Sequence, residues 1–182
     1  KILLLDNSDQ SDQVLGVKDT YCKASTEFCI PLTSANAKSH FHFTSGSTGR
    51  PKAVQHVHGM VKSVIDSFTE VFQPNPDELY WCTADQGWVT GVSYGIFAPM
   101  ICGITQIQTE IIFNPTAWMK LIEDQQINIL YSAPTVFRML MQNGDEFYSQ
   151  FNLSHLKRIY CVGEPLNPAI IEWGRRVLSK DI

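Results

Sequence analysis

From His40 to the C-terminus, short apolar runs of strand length alternate with longer segments whose apolar residues recur at helical spacing. The runs are His40 to Thr44, Leu79 to Thr83, Thr105 to Gln108, Ile127 to Tyr131 and Leu156 to Val162. The helical segments are about Gly59 to Phe72, Val92 to Ile101, Pro115 to Gln125, Thr135 to Gln142 and Pro168 to Ser179. That alternation predicts an α/β fold, a largely parallel sheet with helices on its faces. In such sheets function collects at the loops beyond the carboxyl ends of the strands. Pro74 and Pro76 punctuate the approach to the second strand, Pro115 stands at a first helical turn, and Asn167-Pro168 reads as a cap followed by proline. Before His40 only Lys1 to Leu5 reads as a strand, short and buried, and the next thirty or so residues show no period. Residues 1–39 are therefore expected to form an incomplete N-terminal strand with a connecting segment, and 40–182 the α/β subdomain. Lys1 falls in mid-strand and Ile182 just beyond a helical segment, so an internal piece of a longer protein is expected.

A hydrophobic share of 44% with 18% charged residues suits a soluble globular chain. The net charge of −4, with no basic run, argues against a nucleic-acid partner. Cys22, Cys29, Cys82, Cys102 and Cys161 are scattered without zinc-ligand spacing and read as reduced thiols. No stretch reaches the ~20 apolar residues of a membrane span, and Ile2 to Leu5 is too short for a signal-peptide core. A cytoplasmic location is expected.

The densest chemistry lies in Thr44-Ser45-Gly46-Ser47-Thr48-Gly49-Arg50-Pro51-Lys52. Glycines let backbone N–H groups approach phosphate oxygens, hydroxyls add donors, and the two cations neutralise charge. It is not a Walker loop, because Pro51 stands where that motif needs its second glycine. A flexible surface connection is the bland alternative. His40 and His42 alternate with Phe41 and Phe43 and so share a strand face; His56 and His58 stand two apart beyond the loop. A His-x-His pair is a fragment of a metal site, but no third ligand stands at a recognisable spacing. A packed or exposed structural role is expected, and no metal ligand is assigned.

The segment TSGSTGRPKAVQHVH resembles the signature loop of the adenylate-forming superfamily. Three further segments, Tyr80 to Gly91, Tyr131 to Thr135 and Val162 to Pro168, resemble acetyl-CoA synthetases within it, in the same order. The resemblance implies part of the N-terminal domain of an adenylate-forming enzyme, with 40–182 a partial nucleotide- and acyl-binding subdomain. The implied chemistry is two half-reactions. ATP and a carboxylate give acyl-adenylate and pyrophosphate, and coenzyme A then displaces AMP; Mg2+ is the expected ion and the partners are small molecules. By the same resemblance Thr44, Ser45, Gly46, Ser47, Thr48, Gly49 and Lys52 hold the ATP phosphates. Gly163, Glu164 and Pro165 lie along the nucleotide. Trp88, Val89, Thr90 and Val162 wall the acyl pocket, and Ala133 lies near the coenzyme A channel. A core role for Trp88 and Val89, and a plain strand-to-helix turn for Gly163 to Pro165, are the structural alternatives. Arg50 and Ala53 depart from the family's usual Lys and Gly, and Ala53 would hinder the loop if that position needed positive φ. The family's magnesium-supporting segment, ribose aspartate and catalytic lysine are expected beyond Ile182, so no catalytic residue is named. Propionate or another short acid in place of acetate, and a non-catalytic nucleotide-binding module, are the alternative functions.

Overall fold

A computed structural model describes residues 2–4, 14–16, 21–44 and 49–182. The chain divides into two compact units, Lys1–Thr33 and Ser34–Ile182. In the first, β1 (Ile2–Leu4) pairs in parallel with β2 (Val14–Gly16). β1 lies within the run expected to be a strand; β2 falls where no period was legible. Lys1, Leu5 and the side-chain burial of β1 lie outside the described residues.

Ser34 to Ser39, grouped by sequence with the N-terminal segment, belongs to the second unit. The N–H groups of His58 and Gly59 donate to the carbonyls of Ala37 (3.0 Å) and Ala35 (2.7 Å). Two strands follow, β3 (Lys38–Thr44) and β4 (Lys52–Val57), paired antiparallel with Thr44 opposite Lys52. This corrects the expected passage from strand through loop directly into helix. A second strand, β4, follows the Gly/Ser/Thr segment in the chain, and the helix α1 (Met60–Phe72) begins only after it. Ala53 pairs with Phe43 inside β4 and is not among the described residues with positive φ, so alanine carries no backbone strain there.

The remaining strands, β5 (Tyr80–Cys82), β6 (Gln106–Ile107), β7 (Ile129–Ser132) and β8 (Arg158–Cys161), form an all-parallel sheet in the order β6-β5-β7-β8. Every residue of β5 and β7 is buried, as required when both sheet faces carry helices. Alternation then divides their side chains between two cores. Tyr80, Cys82, Ile129 and Tyr131 pack with Phe68 and Phe72 of α1 and with Ala98. That layer includes a helical stretch made of α2 (Val89–Val92), a π turn (Ser93–Phe97) and α3 (Ala98–Ile101).

Trp81, Leu130 and Ile159 face the other way, onto α4 (Pro115–Asp124), α5 (Pro134–Met141) and α6 (Pro168–Trp173). The Trp81 and Trp118 rings lie 4.8 Å apart between centroids, a contact worth about 0.5–1.5 kcal/mol beyond the area it buries. The helices start where local chemistry tells them to. Asn114 and Asn167 accept from the N–H groups of Ala117 and Ala169, each at 2.9 Å, with proline in the first helical position that needs no donor.

The chain leaves β5 for β6 on one side and later leaves β7 for β8 on the other. The connection directions therefore reverse between β5 and β7, and a crevice at their carboxyl ends is where a parallel sheet offers a ligand site. At the opposite pole Glu78, 6% exposed, is tied to Lys157 and Arg158 at the start of β8. Asn128 accepts from Leu79 N–H (2.8 Å) and donates to His155 C=O (3.0 Å) beside it. The amino-terminal ends are thus closed by polar cross-links, and the carboxyl-terminal ends are left for chemistry.

Candidate active site

Three segments quoted for the family resemblance meet at the carboxyl ends of β5, β7 and β8. Thr83 N–H donates to Tyr131 C=O (2.9 Å), and Val162 N–H donates to Ser132 C=O (3.0 Å). The Thr83 and Ser132 hydroxyls share a hydrogen bond of 2.6 Å across the point where the topology reverses. Ser132 is 1% exposed, so this pair fixes the strand ends rather than facing solvent.

Beyond β5 the chain turns on Asp85. Its carboxylate accepts from Gly87 N–H (2.7 Å) and its carbonyl from Trp88 N–H (3.0 Å). Gly91 lies directly over this turn, where a Cβ would come within 2.1 Å of the Asp85 carbonyl oxygen. Only glycine lets α2 start there. Gln108, following β6, donates to Gly95 C=O in the π turn (2.6 Å) and accepts from the Gln86 side chain (2.7 Å), joining the turn to the helix behind it. A π turn costs regular helix hydrogen bonding and is frequent at functional sites.

Trp88 emerges from this turn 65% exposed and Val89 47% exposed. Neither fills the core of this chain. A cleft of about 440 Å³ opens beside Thr83, Ala84 and Asp85, walled by Glu110, Phe113 and Trp118; Trp88, Val89, Thr90 and Val162 are not among its lining residues. The four residues expected to wall an acyl pocket are therefore divided between the start of α2 and the end of β8.

The other pair of segments is joined directly. The Thr135 hydroxyl donates to the Glu164 carboxylate, 2.7 and 2.8 Å from its two oxygens, and Arg138 one turn along α5 donates to the same carboxylate. Ala133, the residue before α5, is brought beside the Gly163 to Pro165 stretch by this link. The Thr135 hydroxyl first, and then Arg138, hold the Glu164 carboxyl below its usual range. Burial, and then the Glu164 charge, push the Cys161 thiol up to about 11, so it is neutral at pH 7 and no nucleophile. Gly163 has φ +87° with open space where a Cβ would stand, a bare backbone surface that a planar ligand can approach. Arg138 was missed by sequence reasoning, because nothing local ties an arginine on one helix to a glutamate 26 residues on.

Of the expected phosphate residues, Thr44 and Lys52 stand opposite each other at the mouth of the β3–β4 hairpin. Gly49 has φ +81° with nothing within 4 Å of a would-be Cβ. Ser45, Gly46, Ser47 and Thr48 lie outside the described residues.

The sequence profile of the AMP-binding enzyme family matches residues 5–182. The chain belongs to the AMP-binding enzyme family. This AMP-binding segment is 48% identical over 141 residues, 78% of its length, to acetyl-coenzyme A synthetase of Bacillus subtilis (strain 168), and covers 25% of that protein. It is 38% identical over 176 residues, 94% of its length, to acetyl-coenzyme A synthetase of Salmonella typhimurium (strain LT2), covering 27% of it. Its fold superposes on the crystal structure of Brucella canis acyl-CoA synthetase with a TM-score of 0.88 at 26% identity, over 97% of this chain and 32% of that one. The chain thus spans about a quarter of the length of the curated relatives it matches. No helix among the described residues is long and apolar enough to cross a membrane.

Proposed function

We propose that this chain supplies the phosphate loop and part of the acyl and nucleotide walls of an AMP-forming acetate–CoA ligase. The observation that carries the reading is the convergence of three family segments, after β5, β7 and β8, on one pole of a parallel sheet. In the reaction proposed, a carboxylate oxygen attacks the α-phosphorus of ATP, pyrophosphate leaves, and the coenzyme A thiolate then displaces AMP from the acyl carbon.

The residues of this chain act mainly by binding and orientation. Thr44 to Gly49 and Lys52 receive the β- and γ-phosphates: backbone N–H groups and hydroxyls donate, and the Lys52 ammonium offsets the charge that grows on departing pyrophosphate. Lys52 starts a strand, so its position is set by pairing with Thr44 rather than by a free loop. Gly163 offers bare backbone to the adenine and ribose, and Glu164, already held by Thr135 and Arg138, fixes that backbone instead of acting as a base. Trp88, Val89, Thr90 and Val162 bound the acyl group, and Ala133 leaves space for the incoming thiol. Mg2+, when bound, screens the phosphate charge. The described residues hold no carboxylate cluster for it, since their only grouping of three potential ligands is His40, His42 and His56.

Competing turnover of acetate, propionate and butyrate by the full-length enzyme tests the assignment. Acetate is expected to have the highest kcat/KM, and each added methylene to cost about 1–3 kcal/mol or less in a pocket bounded by an indole. A preference for butyrate overturns it. A cytoplasmic location accompanies this reading.

A further inference from the structure

We propose that His40, His42 and His56 form a zinc-binding site that joins β3 to β4 behind the phosphate loop. His40 and His42 lie two apart on β3 and share a face. His56 comes to that face from the antiparallel strand, because Val54 pairs with His42 and the residue two beyond Val54 points the same way. One nitrogen from each ring lies within 4.8 Å of the other two. The His40 and His56 rings stack at 4.8 Å and 9°, and His42 stands edge-on to both, at 4.9 and 5.3 Å.

Three features separate this cluster from ordinary packing. Nε2 of His40 and Nε2 of His42 are both buried without a hydrogen-bond partner, an unfavourable state that a bound ion would relieve. Ser39 Oγ lies 2.9 Å from His40 Nδ1. In the tautomer where Nδ1–H donates to that oxygen, Nε2 carries the free lone pair a metal needs, the outer-shell arrangement that orients ligating histidines. Finally, the outward face of β3 carries Phe41 and Phe43, 53% and 70% exposed, while the imidazoles face inward, the reverse of what hydrophobicity alone would select.

Three imidazoles suit a borderline divalent ion with water in the fourth position. Zn–N bonds of about 2.0–2.1 Å in a tetrahedral site set the nitrogens about 3.3 Å apart, so the three rings must turn toward one another to close on the ion. Bound metal would bridge the strands flanking Thr44 and Lys52. The site is independent of the ligase reading, since it uses none of the residues assigned to nucleotide or acyl group.

The test is calorimetric titration of the 182-residue chain with zinc chloride, with its exposed thiols alkylated, alongside His42→Ala, His56→Ala and His155→Ala. One zinc per chain, weakened at least about tenfold in each of the first two variants and unchanged in His155→Ala, is expected, a site losing one of three ligands. Lack of one-site binding up to millimolar zinc, or equal affinity in all four proteins, overturns the proposal. Where an alanine variant does not fold, histidine-ring nitrogen NMR of the wild-type chain reads the ligands directly. Zinc must move the His40, His42 and His56 signals and leave His155 in place; any other pattern overturns the assignment.

Discussion

Replacing Glu78 with glutamine removes one charge from the closed pole of the sheet while keeping the side chain's shape. Glu78 is 8% exposed in its side chain and accepts from Asn75 N–H (3.0 Å), the Lys157 ammonium (3.1 Å) and the Arg158 guanidinium. Breaking a fully buried pair costs about 3–5 kcal/mol because the surviving charge is stranded, whereas an exposed pair is worth about 0–1 kcal/mol. Here the survivors are partly wet, Lys157 at 57% and Arg158 at 30% exposure. The expected loss lies between those limits, about 2 kcal/mol at pH 7. For a chain of this size that lowers Tm by about 4–8 °C.

The pH dependence carries the sharper test. Burial alone would raise the Glu78 carboxyl, but Asn75 N–H, Lys157 and Arg158 outweigh it and hold the group below its ordinary value. A carboxyl lowered on folding stabilises the protein above its unfolded pKa of about 4.3, and that stability is lost as pH falls through the lower folded value. Urea denaturation of wild type and Glu78→Gln should therefore show a full gap at pH 7 that begins to close below about pH 5. A gap under about 0.5 kcal/mol at pH 7, or one that does not change with pH, would refute the reasoning.

Gly91→Ala should cost about 1–3 kcal/mol in the same denaturation assay, because its Cβ meets the Asp85 carbonyl rather than a yielding side chain; a neutral result would mean the turn is not held as described. Gly163→Ala meets open space and should lose only the cost of positive φ, about 1–2 kcal/mol, with a larger effect on nucleotide affinity measured in the full-length enzyme. The 182-residue chain by itself is expected to form no acetyl-CoA in an acetate-dependent pyrophosphate-release assay, since a partial set of positioned groups loses rate by orders of magnitude. Its exposed Phe41, Phe43, Met100, Ile101 and Ile112 should make it self-associate in light scattering.

The features legible in the sequence were those written in neighbouring residues. Buried strands such as Ile129–Ser132 declare themselves by apolar runs, and Asn114-Pro115 and Asn167-Pro168 declare helix starts through a capping oxygen and a fixed φ. The segment proposed as the phosphate loop stood out because its glycines, hydroxyls and cations stand side by side. β4 was not: Lys52 to Gln55 are all exposed, so no burial pattern marks a strand whose regularity comes from hydrogen bonding to β3. The same pairing supplied what sequence spacing lacked at the histidines. His56 is 14 residues from His42 along the chain, and spacing alone does not place it beside the His40 and His42 pair, yet the hairpin register brings the rings to 5.3 Å. The link from Thr135 and Arg138 to Glu164 has the same origin. Local chemistry selects which elements form and where they begin; only the register of one element against another decides which side chains meet.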